Sequence, residues 1–351
     1  MKGIILHGGH GTRLGPLTLS GPKQLLPIAN KPMSQYALDD IKNAGISEIA
    51  IVIGDVYPEK VKNHYGDGSK FGLKITYVYQ EKPLGISHAI KLCKEFVGNE
   101  KFLVYLGDNV MRKNLGNLAK NFENSSHDCM ILLSEVQDPS RFGIAEFENE
   151  KIIKIIEKPK QTNSNLAIIG IYFFTPKIFD IIEELKPSWR GELEVTDALQ
   201  LCLEKKYSIS FETVTGWWKD TGTPEDILDA NNLILDTLGT SEELVSQKDD
   251  FNGKKFVIGK NSNIDKETRI IEPVIIGNDT EIKSSKIGPN VSIGDNVSIM
   301  NSSISNSIIM NDCKIRFSIP IENSIIANDS EIDNKNAKKQ ILLGEKSKIS
   351  L

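Results

Sequence analysis

Short apolar runs alternate with amphipathic segments over roughly the first two thirds of the chain. Ile49 to Gly54, Lys74 to Gln80 and Lys101 to Asp108 are each predicted to form a short strand. Such alternation is typical of a layered α/β domain with a mainly parallel sheet. Open sheets of this kind bind ligands beyond the carboxyl ends of their strands. We therefore expect the functional residues to lie at that edge of the sheet.

The apolar pattern changes after a polar stretch at 238–255. Isoleucines recur at a step of six or five residues, with Gly, Asn and Asp between them: Ile258, Ile264, Ile270, Ile276, Ile282, Ile287, Ile293, Ile299, Ile304, Ile309, Ile315, Ile321, Ile326 and Ile332. One such coil cannot bury its apolar face alone, so stacked coils must form the core. The sequence predicts an α/β domain over 1–237, a linker over 238–255 and a parallel β-helix over 256–351.

A glycine-rich turn follows the first predicted strand. Gly8, Gly9 and Gly11 allow backbone N–H groups to approach an anionic ligand closely, and Arg13 adds a fixed positive charge. Lys23 follows in a Pro-Lys-Gln segment. This pattern predicts a cradle for phosphate groups.

Two common phosphate loops do not fit this turn. A P-loop ends in Gly-Lys-Ser/Thr, whereas Gly11 is followed by Thr12 and Arg13. The dinucleotide fingerprint needs a third glycine where this chain has Leu14, and an acidic residue about twenty positions on, where Asn30 stands. The turn therefore indicates a third kind of phosphate site.

Composition narrows the class of partner. The 351 residues carry a net charge of −5, which lacks the basic surface that nucleic-acid binders need. The four cysteines have no paired spacing, and no long apolar run or signal-like N-terminus appears. We expect a cytoplasmic protein with small-molecule substrates and neither nucleic-acid nor membrane partners.

Several ordered motifs carry a family resemblance. GGHGTRLGPLT, PKQLLPIANKPM, EKPLGISHAI, YLGDN, DPSRFGIAEF, IEKPK, PSWRGELEVTDA and GWWKDTGTPEDILDAN resemble the sugar-phosphate nucleotidylyltransferases, in particular the long form of the glucose-1-phosphate thymidylyltransferases. The resemblance covers essentially the whole chain. It implies a Rossmann-like nucleotide-diphospho-sugar transferase domain followed by a left-handed parallel β-helix.

The resemblance also implies an activity and its residues. The expected reaction is in-line attack of glucose 1-phosphate on the α-phosphate of dTTP, with Arg13, Lys23, Asp108, Lys158 and Asp220 as catalytic residues. Asp108 and Asp220 are the expected ligands of Mg²⁺, a cation that prefers oxygen donors. Residues implied to bind the nucleotide are Leu6, Gly8, Gly9, Gly11, Thr12, Arg13, Lys23, Gln24, Gln80, Pro83, Gly85 and Asp108. Residues implied to bind the sugar phosphate are Asn109, Gly143, Glu157, Lys158, Ile168, Gly170 and Arg190.

The motifs do not decide between the expected activity and two alternatives. A UTP-dependent uridylyltransferase, or a non-catalytic sugar-nucleotide-binding subunit, would share most of these motifs.

His7 stands where the family usually has a small residue, and His10 is in the cradle loop. Trp217 and Trp218 have no assigned chemistry. All five histidines precede the repeats, so the predicted β-helix lacks a histidine base and is expected to serve in architecture or homo-oligomer formation.

Overall fold

The computed structural model describes residues 1–9, 11–112, 114–238 and 255–333. The chain forms two compact units. The first contains Met1–His10, Ser20–Leu25 and Met33–Asp220, and the second contains Gly11–Leu19, Leu26–Pro32 and Thr221–Leu351. The predicted linker lies almost wholly outside the described residues, as do His10 and residues 334–351, so the domain limits inferred from the sequence stay a prediction.

Strands and helices alternate up to the end of the eighth helix. The strands are β1 (Lys2–His7), β2 (Pro27–Ile28), β3 (Lys31–Pro32), β4 (Glu48–Ile53), β5 (Lys74–Tyr79), β6 (Phe102–Leu106), β7 (Asn109–Met111), β8 (Cys129–Glu135), β9 (Gly143–Glu148), β10 (Lys151–Glu157), β11 (Leu166–Phe174), β12 (Ile209–Thr213) and β13 (Trp218–Asp220). The helices are α1 (Met33–Asn43), α2 (Pro58–Tyr65), α3 (Ile86–Leu92), α4 (Lys94–Val97), α5 (Leu115–Asn124), α6 (Ile178–Glu184), α7 (Val195–Glu204) and α8 (Pro224–Leu235). Short 3₁₀ turns lie at Thr12–Leu14, Leu17–Leu19, Lys23–Leu25, Ser69–Phe71 and Pro139–Arg141.

The first unit is built on one mixed sheet with a parallel centre. β1 pairs in parallel with both β4 and β6, and β4 pairs in parallel with β5. β11 runs antiparallel to β6 and β8, and β9 and β10 extend the sheet beyond it. The carboxyl ends of β1 and β6 therefore meet at one edge.

Alternation along β1 shows why the sheet is covered on both faces. Ile4 packs in a core cluster with residues of α3, α6 and α7, whereas Ile5 packs in a second cluster with residues of α1, α2 and α5. Successive side chains of a strand point to opposite faces, so a continuous apolar run requires helices on both sides. Each fully buried isoleucine contributes about 1.5–3 kcal/mol. The predicted α/β layering is confirmed.

The second unit contains a parallel β-helix with three sheets. One sheet holds β14 (Phe256–Ile258), β17 (Val274–Ile276), β20 (Val291–Ile293), β23 (Ser307–Ile309) and β26 (Ile325–Ile326). The next holds β15 (Asn263–Ile264), β18 (Glu281–Lys283), β21 (Ser298–Met300), β24 (Lys314–Arg316) and β27 (Glu331–Asp333). The last holds β16 (Arg269–Ile270), β19 (Lys286–Ile287), β22 (Ser303–Ser305) and β25 (Ile321–Glu322). The parallel β-helix is confirmed, and its left-handedness stays a prediction.

The isoleucine series forms the interior of this β-helix. Ile282 pairs with Ile299, and Ile299 pairs with Ile315, so isoleucines of successive coils stack on one another. All three are buried in one cluster. Each step of five or six residues in the sequence therefore leads from one strand of a coil to the next strand of that coil.

Asparagine and aspartate form the corners between the sheets. Asn296 and Asp312 have positive φ angles of 56° and 62°, a region that asparagine and aspartate tolerate better than most residues. Asn296 Nδ2 donates to Asp312 Oδ1 at 2.8 Å, between residues 16 positions apart. Corner side chains therefore hydrogen bond from one coil to the next.

Helix α8 and the hairpin formed by β2 and β3 belong to the same unit as the β-helix. Asn231 of α8 is fully buried, and its Oδ1 accepts from Ser292 Oγ at 2.6 Å and from the backbone N–H of Ala29 at 3.0 Å. Asn30 Nδ2 donates to the carbonyl of Ile293 at 2.6 Å. These bonds join the three parts of the second unit.

Within the described ranges, the helices are too short or too polar for any of them to span a membrane.

Candidate active site

The cleft at the carboxyl end of β1 holds most of the residues predicted for the nucleotide. It measures about 260 Å³. Its lining is Leu6, Gly8, Gly9, Gln80, Pro83, Gly85, Ile86, Ala89, Leu106, Asp108, Arg190 and Glu192. Eight of these residues come from the sequence prediction. Ile86, Ala89, Leu106 and Glu192 were missed, although all four lie within motifs that carried the resemblance.

Backbone rather than side chains forms the wall where β1 ends. Gly9 has a φ of 90°, which favours glycine. At Gly85 a Cβ atom would lie 2.5 Å from the carbonyl oxygen of Leu193, so the close approach of two backbone segments requires glycine there as well. The glycines therefore leave peptide groups accessible to a ligand.

Lys23 and Asp108 form an ion pair at this edge. Lys23 Nζ donates to Asp108 Oδ2, and Asn109 Nδ2 donates to Asp108 Oδ1 at 3.0 Å. Burial by itself would raise the pKa of Asp108, but the Lys23 ammonium, together with these hydrogen bonds, holds it below its usual value. Asp108 is therefore ionised at neutral pH, and Lys23 balances its charge.

Asn109 connects the two carboxylates predicted to bind metal. It is 2% exposed, and its Oδ1 accepts from Trp218 Nε1 at 2.6 Å and from the backbone N–H of Gly170 at 3.3 Å. β7 pairs antiparallel with β13, which places Asp220 directly opposite Asn109. Asp108 immediately precedes the strand position that faces Asp220, although the two residues are far apart in the sequence.

Tyr172 provides independent support for this clustering of acidic groups. The pKa of its buried hydroxyl is raised first by burial and then by the charges of Glu157, Asp108 and Asp220. A charge affects a pKa strongly only at short range in a folded protein. The charges of all three carboxylates therefore reach the Tyr172 hydroxyl.

Glu157 lies at the centre of the predicted sugar-phosphate residues. Its Oε1 accepts from Arg190 Nη1 at 3.2 Å and lies 3.6 Å from Lys158 Nζ. Its Oε2 accepts from the hydroxyl of Thr196 at 3.0 Å. Arg190 also donates to Glu192 at 3.0 Å. The structure thus brings two predicted phosphate-binding cations to one carboxylate, and Thr196 is a contact that sequence reasoning missed.

Two further predicted glycines are required by packing. A Cβ atom at Gly143 would lie 2.4 Å from Cγ2 of Thr196, and one at Gly170 would lie 2.7 Å from Leu106. Ile168, also predicted for the sugar site, is buried in the core of the first unit. Gly143 lies next to Glu157, and none of the three residues lines the cleft itself.

Gln24 and His7 lie behind the cleft. Gln24 is 1% exposed, and its Nε2 donates to the carbonyl of Gly8 at 2.8 Å, while its Oε1 is buried without a partner. His7 is 5% exposed, both ring nitrogens lack partners, and its ring meets Tyr65 edge-on at 5.9 Å. Burial lowers the pKa of His7 to about 3, although the Asp108 carboxylate acts in the opposite direction. His7 is therefore neutral and supports the end of β1 from beneath.

The remaining cradle residues belong to the second compact unit. Gly11, with a φ of 61°, precedes the 3₁₀ turn that contains Thr12 and Arg13. Gly222 lies against Arg13, because a Cβ atom there would be 3.0 Å from Arg13 Nη2. Arg13 thus packs on the segment that follows β13.

Two parts of the chain match known domain families. Residues 2–237 match the nucleotidyl transferase family, and residues 270–350 match a GMPPB C-terminal domain. The low-salt glycan biosynthesis nucleotidyltransferase Agl11 of Haloferax volcanii is 50% identical over 237 residues, which are 67% of this chain and 66% of that protein. A glucose-1-phosphate thymidylyltransferase of Streptomyces antibioticus is 40% identical over 291 residues, covering 82% of this chain and 81% of that protein.

A solved structure shows the same relationship. A putative glucose-1-phosphate thymidylyltransferase from Bacillus anthracis, in complex with sucrose, is 42% identical and superposes with a TM-score of 0.64. The match covers 66% of this chain and 94% of that one. The family model spans most of the chain, and the Streptomyces relative is matched over most of both lengths. The chain therefore belongs to the nucleotidyl transferase family.

Proposed function

We propose that the protein transfers a thymidylyl group from dTTP to glucose 1-phosphate, forming dTDP-glucose and releasing pyrophosphate. The observation that carries this proposal is the grouping of a backbone cradle, the Lys23–Asp108 pair and Arg190 around one cleft. Relatives that are named glucose-1-phosphate thymidylyltransferases support the same reaction.

The chemistry needs no general base. A phosphate monoester has a second pKa near 6, so glucose 1-phosphate already carries an ionised oxygen at neutral pH. That oxygen attacks the α-phosphorus of dTTP, and the bond from the α-phosphorus to the bridging oxygen of pyrophosphate breaks. The electron pair leaves with pyrophosphate. The protein has to align the two anions and offset their repulsion.

The cationic side chains suit this task. We assign Lys23 and Arg13 to the triphosphate, and Lys158 and Arg190 to the sugar phosphate. Arg190 is held by Glu157 and Glu192, which fixes the guanidinium at the wall of the cleft before a ligand arrives. A preorganised donor stabilises a transition state better than one that must first be ordered.

The acidic residues fit a divalent cation, for which we propose Mg²⁺. Asp108, just before β7, and Asp220, on the paired strand β13, supply hard carboxylate oxygens, and both charges reach Tyr172. Among the described residues no group of three or more His, Cys, Asp or Glu side chains forms a closed metal site. Phosphate oxygens and water would supply the remaining ligands, and when bound the cation would withdraw negative charge from the triphosphate.

The base and the glucose are assigned to different ends of the site. Gln80, Pro83 and Gly85 line the cleft and are our candidates for contacts with the base. Glu157, whose carboxylate can accept several hydrogen bonds, is our candidate acceptor for the glucose hydroxyls. Thymine differs from uracil by one methyl group, which is worth only about 1–3 kcal/mol in a pocket.

The test is a pyrophosphate-release assay with the full chain and Mg²⁺. We would cross dTTP and UTP with glucose 1-phosphate, galactose 1-phosphate and glucosamine 1-phosphate. The proposal predicts the highest kcat/KM for dTTP with glucose 1-phosphate. A clear preference for UTP or for another sugar phosphate would overturn the substrate assignment, and no turnover with any pair would overturn the activity.

Assembly is a separate proposal. We propose that the partners are small molecules together with further copies of this chain, which the resemblance to long-form enzymes implies. Light scattering on the purified protein would give the mass in solution, and a mass of one chain at micromolar concentration would contradict the homo-oligomer.

A further inference from the structure

One histidine that has no role in the proposed chemistry contacts a residue that lines the cleft. His88 lies on α3, the helix whose Ile86 and Ala89 line the cleft. Its Nδ1 is 2.9 Å from Nε2 of Gln80, which also lines the cleft and is 5% exposed. His88 therefore contacts Gln80, the side chain proposed to meet the base.

The neighbours of Gln80 determine on which side its amide nitrogen and its amide oxygen lie. The Gln80 nitrogen also faces the carbonyl oxygen of Gly85 at 3.4 Å. A carbonyl oxygen only accepts hydrogen bonds, so the NH₂ end of the amide must occupy this side. His88 Nδ1 then accepts the second amide hydrogen, which requires a neutral ring with its proton on Nε2.

The charge state of His88 agrees with this assignment. Burial lowers the pKa of His88, and the nearby Lys91 ammonium lowers it further. A neutral imidazole has one acceptor nitrogen, which a protonated ring lacks. Under ordinary conditions His88 can therefore accept from Gln80.

The oxygen of the amide is consequently turned toward the cradle. A Cβ atom at Gly8 would lie 3.6 Å from Gln80 Oε1, so this oxygen lies next to the backbone at the end of β1. Gly8 and Gln80 line the same cleft. The polar atom that Gln80 presents on this side is thus a hydrogen-bond acceptor.

We infer that His88 is a positioning residue for base selection: it holds the Gln80 amide with its oxygen toward the cleft, so that the site selects a base with a ring N–H. Thymine and uracil carry such a donor at N3, whereas N3 of cytosine is an acceptor. Two acceptors facing each other repel and leave buried groups unpaired. This inference rests on the proposed function, because it concerns the nucleotide of that reaction.

The experiment compares dTTP with dCTP in two variants of His88. His88→Leu removes the nearer of the two acceptors that face the amide nitrogen and leaves only the Gly85 carbonyl at 3.4 Å, so the amide is held less firmly and can rotate by half a turn to offer NH₂ to cytosine. We expect the ratio of kcat/KM for dTTP over dCTP to fall about fivefold to tenfold, the worth of one hydrogen bond. His88→Asn places an amide oxygen near the Nδ1 position and should restore most of the ratio. An unchanged ratio in His88→Leu would overturn the inference.

Two controls separate positioning from a structural effect. His64 forms a similar pair, with Nε2 3.3 Å from Oε1 of Gln35, away from the lining of the cleft. His64→Leu should lower stability without changing the dTTP to dCTP ratio. In a Gln80→Ala background, His88→Leu should change the ratio no further, because the group that it positions is gone. A further fall in that background would show that His88 acts by another route.

Nuclear magnetic resonance gives a readout independent of turnover. In protein with ¹⁵N-labelled histidine, the resonances of His88 report which ring nitrogen carries the proton. The inference requires the form protonated at Nε2, and the opposite tautomer would overturn it. Failure of the proposed function is distinguishable, since it would appear as an unmodified protein that turns over no nucleotide.

Discussion

Buried polar side-chain atoms differ in hydrogen bonding between the α/β unit and the β-helix. Around the cleft, His7 and Gln24 carry buried atoms without partners, and Asp108 is a buried charge balanced by Lys23. Among residues 255–333 every buried side-chain nitrogen and oxygen has a partner. Buried polar groups without partners cost stability, so they persist where a ligand is to be bound. The difference separates the surroundings of the cleft from the coils of the β-helix, and it does not extend to α8 of the second unit, where Asn231 Nδ2 and Asn232 Oδ1 are also buried without partners.

The largest expected difference is in kcat, between a variant of a carboxylate at the cleft and a variant of a carboxylate at a corner of the β-helix. Asp108→Asn should lower kcat by about 10²–10³, the cost of one preorganised electrostatic contact. Asp312→Asn, at an exposed corner of the β-helix, should leave kcat unchanged, because asparagine tolerates the same positive φ. Pyrophosphate release measures both. Equal losses in the two variants would contradict the proposal that Asp108, and not a carboxylate of the β-helix, takes part in the reaction.

Core truncation should separate stability from activity. Ile299 is fully buried in the β-helix, so Ile299→Ala should lower the free energy of unfolding by about 2–5 kcal/mol. Its kcat/KM should remain that of the unmodified enzyme at temperatures where both are folded. Ile319→Ala, at a half-exposed position, is the control and should change the unfolding free energy little. Urea denaturation supplies the values, and a fall in kcat/KM alongside intact folding would contradict the separation.

The buried histidine beneath the cradle predicts a pH dependence. The pKa of His7 is about 3 in the folded protein and 6.5 when unfolded, so the unfolded state binds more protons between these values. Stability from His7 is therefore complete above pH 6.5 and is lost as the pH falls toward 3. His7→Leu should remove this loss. The stability difference between His7→Leu and the unmodified protein should grow in favour of the variant on acidification, by on the order of a few kcal/mol. A difference independent of pH would contradict the neutral buried ring.

Corner residues should give the smallest effect. Asn296 combines a positive φ with a hydrogen bond to Asp312, so Asn296→Ala should lower the unfolding free energy by about 1–2 kcal/mol. Asn296→Gly keeps the backbone conformation accessible and should lose less. Thermal denaturation of both variants tests this order. Because both variants lose the side-chain bond, the reverse order would contradict the positive φ angle as the constraint on this corner.

These contrasts also explain what could be predicted from the sequence. The isoleucine period predicted the β-helix interior because every coil repeats the same physical requirement. The glycines at the end of β1 predicted a wall of exposed backbone, and Gly8 and Gly9 do line the cleft, whereas phosphate binding there stays a prediction. Both features are local or periodic, so residue spacing alone contains them.

Other features of the site depend on contacts that spacing does not contain. The pairing of Asp220 with Asn109 joins two strands of three residues each, too short to leave a pattern. The bond from Thr196 to Glu157 joins residues 39 positions apart. Trp218 could not be told from a core residue until its indole N–H was found on Asn109. The resemblance to a family indicated many site residues, but it did not reveal these supports.

The coil repeat of the β-helix limits how its length can change during evolution. Corner side chains bond across separations of 16, 17 or 18 residues. Deleting one residue within a strand would exchange its inward and outward positions, so that an isoleucine would face water. Removing a whole coil would instead bring two similar coils together. Lineages of this protein should therefore gain or lose repeat length in whole turns, while point substitutions accumulate on the outer faces.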